Sequence, residues 1–170
     1  MEFSQVIKNR YSCKSFNGQK VEPAKLNAIL EAARLAPTAK NLQEHHIYIV
    51  QSADGLAAID RCTPCRYGAA TVAVVAYDAQ NVFTYPGGKR DSGAEDASIV
   101  ATHLLLAAAA EGVDSCWVNF FNPEELAQQL GLPKNEEVLM LLDLGYAAEG
   151  AQPLPPHFQR KPLEDTVSYI

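Results

Sequence analysis

The sequence predicts an α+β fold in which a sheet packs around one central apolar helix. Two segments carry the prediction. Residues 92–111 form the longest helical stretch, and its second half, with Leu104, Leu105, Leu106 and a run of alanines, leaves little polar face. A helix apolar nearly all round belongs in a core. Residues 71–77 are β-branched and apolar without interruption, the pattern of a buried strand. Helical and strand patterns alternate along the chain with no repeat and no linker between them. One layered unit, residues 1–170, therefore accounts for the whole chain.

The elements follow in order. Residues 4–9 read as a short helix and residues 22–36 as a stronger one. Pro23 suits the first helical position, and Leu26, Ile29, Leu30 and Ala33 form one apolar stripe. Pro37 ends that helix. A polar loop at 38–44 leads to a strand at 46–51, and a further helix is read at 54–61. After the buried strand, residues 78–90 form a loop around Tyr85-Pro86-Gly87-Gly88, a turn signal. Gly112 is placed to cap the central helix. A strand follows at 115–121. Asn122-Pro123-Glu124-Glu125 then opens a helix well, with Asn as cap, Pro at the first position and Glu125 in capping-box position. Gly131 closes it. Residues 138–146 form another strand, 150–156 an extended Pro-rich segment, and 166–170 alternate like a strand with no partner after them. An unpaired edge strand is a liability, so this tail is expected to pair at an edge of its own sheet or on a second subunit's sheet.

Composition narrows the function classes. The 170 residues include 14 Lys+Arg against 20 Asp+Glu, a formal net charge of −6. Such a chain lacks the cationic field of a nucleic-acid or anionic-membrane binder, so any anion site must be local and built by folding. MEFSQVIKNR has no apolar core of a signal peptide, and the strictly apolar run 104–110 is far shorter than the roughly 20 residues of a membrane span. A cytoplasmic protein is expected. Of the four cysteines, Cys62 and Cys65 form a CxxC that precedes an apolar strand instead of following one. Structural thiols are the expected reading, with redox or metal roles as alternatives. No GxGxxG after a strand, P-loop, HExxH or GxSxG occurs.

Four segments could carry chemistry. In Arg10-Tyr11-Ser12-Cys13-Lys14, the alternate residues Arg10, Ser12 and Lys14 share one face if extended. Two cations and a hydroxyl suit a phosphate, or a solvated strand edge. Ala36-Pro37-Thr38-Ala39-Lys40-Asn41-Leu42-Gln43 offers amide donors and acceptors for a heterocycle edge, or ordinary turn chemistry. Arg160-Lys161 adds two cations, or a solvated tail. Trp117, the sole tryptophan, lies with Asn119 in a strand-like run, where a Trp is also at home in the core.

Taken together, these segments resemble the nitroreductase family of FMN-dependent oxidoreductases. Arg10 to Phe16 is similar to its opening Arg-Arg-Ser-x-Arg-x-Phe, and Ala36 to Gln43 to its Ala-Pro-Ser-x-x-Asn-x-Gln. Asp96 to Leu104 resembles its central helix, Gly112 to Val118 the turn and strand after it, Leu144 to Glu149 its Leu-Gly-Tyr-Pro-x-Glu, and Arg160 to Glu164 its closing segment. The resemblance implies a nitroreductase-like α+β fold with a central, mostly antiparallel sheet flanked by helices. It also implies a homodimer with two FMN sites between subunits and a C-terminal strand exchanged across the dimer. Arg10, Lys14 and Arg160 would hold the FMN phosphate, helped by Lys161, with Tyr11 and Ser12 beside them. Pro37, Thr38 and Asn41 would reach the isoalloxazine from the other subunit. Trp117, Val118, Asn119 and Phe120 would pass the ring, with a backbone N–H of Asn119 or Phe120 near flavin N5.

Chemistry would reside on the flavin, with no catalytic side chain and no metal. Ping-pong hydride transfer from NAD(P)H to a nitroaromatic, a quinone or a similar small acceptor is implied. Reductive dehalogenation, flavin fragmentation and non-catalytic FMN binding are the alternatives. The chain departs from the family pattern at Tyr11 (Arg), Lys14 (Arg), Thr38 (Ser) and Glu44-His45 (often Pro-Trp).

Overall fold

A computed structural model describes residues 2–170. The helices are α1 (Phe3–Asn9), α2 (Pro23–Arg34), α3 (Ala53–Cys62), α4 (Gly93–Ala110) and α5 (Pro123–Leu130). The strands are β1 (His45–Val50), β2 (Thr71–Asp78), β3 (Asp114–Val118) and β4 (Glu136–Gly145). They form one antiparallel sheet in the order β1-β2-β4-β3. The expected α+β architecture is present, with helices on both sides of the sheet.

The central strands β2 and β4 are buried on both faces, which is why β2 reads as an unbroken apolar run. On one face, Ala73, Val75, Met140, Leu142 and Leu144 pack against α2 and α4. Buried residues of α4 run from Ala97 through Val100, Ala101, Leu104 and Leu105 to Ala108. The other face carries Val72, Val74, Val138 and Leu141 against Ile59 of α3 and Leu126 of α5. The register passes from Val75 opposite Met140 to Ala76 opposite Val138, so Leu139 is an extra, unpaired residue on β4, a β-bulge.

Local chemistry sets the helix ends. Gly112 has φ +68, and the Val113 and Gly112 N–H groups donate to the Ala108 and Ala109 carbonyls at 2.8 and 3.2 Å. This is a Schellman closure, which needs a residue free to adopt the left-handed region. The Asn122 side chain accepts the N–H groups of Glu124 and Glu125 at 3.1 and 3.3 Å, capping α5.

Two expectations need correction. The strand predicted over 115–121 ends at Val118, because the chain turns there: the Phe121 N–H donates to the Asn119 carbonyl at 3.1 Å. The tail 166–170 forms no strand in this chain. A short 3-10 turn (Leu163–Asp165) precedes it, and Tyr169 and Ile170 lie fully in solvent. Alternation alone does not make a strand without a neighbouring edge to bond to.

Candidate functional site

The segment after α1 is placed by β3. Ser12 bridges Ser115 in parallel, the Cys13 N–H donates to the Ser115 carbonyl at 2.9 Å, and Phe16 bridges Ala147. Cys13 and Phe16 are anchored in the core, while Ser12 and Lys14 point outward. The alternation inferred from sequence therefore holds. Arg10, Ser12 and Lys14 line a cleft of about 420 Å³, closed on its other side by Leu154, Pro156, His157 and Arg160. Tyr11 forms part of the wall, its ring edge-on to His157 with centroids 6.3 Å apart, and burial pushes its hydroxyl up to about 12. Lys161 does not line the cleft.

The cations differ in their engagements. Among the described residues, Arg10 makes no side-chain hydrogen bond or ion pair. Arg160 folds its guanidinium onto the carbonyls of His157 and Gln159 at 2.7 and 2.6 Å. The Lys14 ammonium donates to the Tyr67 hydroxyl at 2.9 Å and sits 4.6 Å from that ring's centroid. The bond to Tyr67 holds Lys14 above its usual range, so it stays charged. A larger hollow of about 1020 Å³ beside α5 is lined by Glu124, Glu136 and Glu137 against one cation, Lys134. That charge balance repels an anion, and none of the predicted site residues reaches it.

At the end of β3, Trp117 is half-buried and its indole N–H donates to the Asn119 side-chain oxygen at 2.9 Å. Val118 is buried, whereas Asn119 and Phe120 are exposed. Among the described residues no protein acceptor takes the backbone N–H of Asn119 or Phe120.

The loop after α2 stands apart, and Pro37, Thr38 and Asn41 do not line the cleft. Lys40, Asn41 and Gln43 all have positive φ, at 52, 56 and 54°. Two of these are not Asn or Gly, so the loop is strained and must be held from outside. Asp96, at the start of α4, accepts the Ala39 N–H on both carboxylate oxygens at 3.1 and 2.9 Å. The Thr38 hydroxyl oxygen accepts the Gln43 N–H at 3.1 Å. Glu44 is buried, and one of its oxygens accepts the Ser92 hydroxyl at 2.9 Å. Burial, with Asp96 adding to it, raises the Glu44 carboxyl above its ordinary range. The Glu44 departure from the family pattern is thus an internal clamp on this loop.

Two residues of the site escaped sequence reasoning. Thr63 and Tyr67 lie in the turn after α3, and both contact predicted site residues. Thr63 is the hydroxyl between the two cysteines of the CxxC, and no local spacing marks it as a partner of Phe120. The four thiols are free, and burial raises those of Cys13, Cys62 and Cys116, the last to about 11. Raised thiols are poor nucleophiles. No group of three or more His, Cys, Asp or Glu is placed to hold a metal among the described residues.

Sheet, apolar helix and cleft together define a small α+β protein whose cleft is lined by three cations. The family model described as "Nitroreductase family" matches residues 7–65 and 62–146, and the chain belongs to the nitroreductase family. A nitroreductase family protein of Clostridium difficile 630 is 34% identical, with a TM-score of 0.92 over 99% of this chain and 98% of that one. A protein of Archaeoglobus fulgidus provisionally named an NADH dehydrogenase/NAD(P)H nitroreductase is 29% identical over 153 residues, 85% of each chain. A provisionally named nitroreductase of Exiguobacterium sibiricum, solved in complex with FMN, shares the fold at a TM-score of 0.86 and 21% identity, covering 100% of this chain and 98% of that one.

Proposed function

We propose that this chain is one domain of an FMN-dependent oxidoreductase that works as a homodimer and takes electrons from NAD(P)H to a nitroaromatic, a quinone or a similar small acceptor. The observation that carries the reading is the cleft: in a chain of net charge −6, Arg10, Lys14 and Arg160 all line one space. The cations present fit the phosphate end of FMN. When bound, the flavin supplies the hydride chemistry.

The chain's own residues do the rest. Arg10 is uncommitted and offers a forked donor set to phosphate oxygens. Arg160 exchanges its backbone carbonyl partners for the same phosphate, and Lys161 contributes charge from the tail. Ser12 and Tyr11 add hydroxyls at the cleft wall. A backbone N–H of Asn119 or Phe120, at the strand exit after Trp117 and Val118, would donate to the ring near N5. Pro37, Thr38 and Asn41 act on the partner's site, which agrees with their distance from the cleft in their own chain. Large exposed apolar side chains support the dimer: Phe3 and Ile7 on α1, Leu35 after α2, and Phe158, Leu163 and Tyr169 on the tail. The tail then finds its backbone partners on the other subunit. No helix among the described residues is long and apolar enough to cross a membrane. The free thiols support a reducing, cytoplasmic setting.

The test is the purified protein with added FMN. The expected result is a flavin absorbance band that bleaches anaerobically with NADH or NADPH and returns with acceptor. Persistent failure to bind FMN sinks the proposal. A monomer by sedimentation, unaffected by removal of residues 166–170, sinks the dimeric part.

A further inference from the structure

Thr63 follows the last residue of α3 and is 2% exposed. Its hydroxyl donates to the Phe120 carbonyl at 2.7 Å, and the same oxygen accepts the Cys65 N–H at 3.1 Å. Its own N–H donates to the Ile59 carbonyl at 3.0 Å, closing the helix. Donor and acceptor capacity are both used, so the side chain is locked in one orientation. The other end of the bond is a residue that packing does not hold, because the Phe120 ring is 75% exposed.

The peptide planes on either side of Phe120 are each tied by one bond. The Asn119 carbonyl accepts the Phe121 N–H at 3.1 Å, which fixes the plane that also carries the Phe120 N–H. The Phe120 carbonyl is fixed by Thr63. With both planes tied, the Phe120 backbone dihedrals are set and its N–H points one way. The same turn holds Lys14 through Tyr67, so one short segment steadies both the cleft and the strand exit.

We propose that Thr63 is a positioning residue that acts through the Phe120 carbonyl to aim the Phe120 N–H at the flavin ring. The inference rests on the flavin reading above. It is tested with FMN-loaded wild type, Thr63→Val, Thr63→Ser and Thr63→Cys. Valine keeps the branched shape without the hydroxyl, and serine keeps the hydroxyl. In Thr63→Val, FMN affinity is expected to stay within about threefold, because the cleft cations are untouched. Its bound-flavin absorption spectrum and midpoint potential shift, and reduction by NAD(P)H slows roughly ten- to hundredfold, the scale of a small misplacement at a reacting centre. Thr63→Ser restores all three.

Wild-type spectrum, potential and reduction rate in Thr63→Val overturn the inference. So does an equal defect in Thr63→Ser, which would mean that volume matters and the hydroxyl does not. If Thr63→Val does not fold, Thr63→Cys, a weak donor of similar size, must show the same shift in smaller degree, and wild-type behaviour there overturns the inference. Absence of FMN binding by the wild type would instead remove the flavin reading itself.

Discussion

The two faces of the sheet are built to different standards. Along β2 and β4, the face toward α2 and α4 is aliphatic at its centre, with Ala73, Val75, Met140, Leu142 and Leu144, and its buried Thr71 is satisfied by the Val21 N–H. The opposite face places Cys13, Cys116 and Asp143 among its aliphatic residues. Asp143 is 0% exposed, and neither carboxylate oxygen has a hydrogen-bond partner. It pairs with Cys116 across β3–β4 and with Val72 across β2–β4. Burial pushes its carboxyl up to about 8, against the pull of Arg66 and then Lys14. A buried carboxyl with no partner is held neutral, because ionising it there costs far more than in water. The face against α2 and α4 therefore buries only uncharged side chains of β2 and β4. The polar-bearing face lies under the Arg10 to Lys14 segment and the turn at Thr63 and Tyr67, where the candidate site is assembled.

Substitutions can break or sharpen this contrast. The largest effect is expected from Leu142→Ala, which opens a cavity on the apolar face and costs about 2–5 kcal/mol in urea unfolding. A loss under about 1 kcal/mol would mean that this face is not tightly packed. Arg10→Ala, above the other face, should leave unfolding within about 0.5 kcal/mol. It should weaken FMN binding by about 1.5–3 kcal/mol, roughly 10- to 150-fold, in fluorescence titration. An unchanged affinity removes Arg10 from the site.

Asp143→Asn tests the buried carboxyl itself. Burial on folding raises its pKa from the ordinary carboxylate range to about 8, so the native state holds a proton that the unfolded chain releases. Wild-type stability is then full below about pH 4 and falls as pH rises toward 8. Asparagine cannot ionise, so the variant lacks this fall. Allowing for its unpaired amide, it should be more stable than wild type by about 2 kcal/mol at neutral pH and no more stable at pH 4. Parallel pH profiles of melting temperature would refute this account. The smallest effect is expected from Asn122→Ala, which uncaps α5 on the polar-bearing face and costs about 1 kcal/mol in thermal unfolding. FMN affinity should not change with it.

Legibility from sequence followed the range of the physics. The helix of residues 92–111 and the strand of 71–77 appear as α4 and β2 almost to the residue, because burial on all sides leaves a pattern that no local choice contradicts. Caps were equally readable: Pro23, Gly112, Asn122 and Gly131 act within one turn of their own position. Arg10, Ser12 and Lys14 were readable as one face because a strand has period two. Less could be read at 115–121, where Thr63 takes the Phe120 carbonyl from 57 residues away and the chain turns. The tail showed strand alternation, but alternation carries no information about whether an edge is within reach.

The sequence by itself determined which segments are buried, where helices start and stop, and which cations can face one way, since each depends on spacing over a few residues. Only the tertiary structure decided the strand order, the joining of Arg10 and Lys14 to Arg160 in one cleft, the clamp of Glu44 and Asp96 on the loop after α2, and the grip of Thr63 on Phe120. These depend on hydrogen bonds and charges brought together by a core whose packing is non-directional. A periodic pattern states that a residue is buried or exposed, and the fold alone states against what.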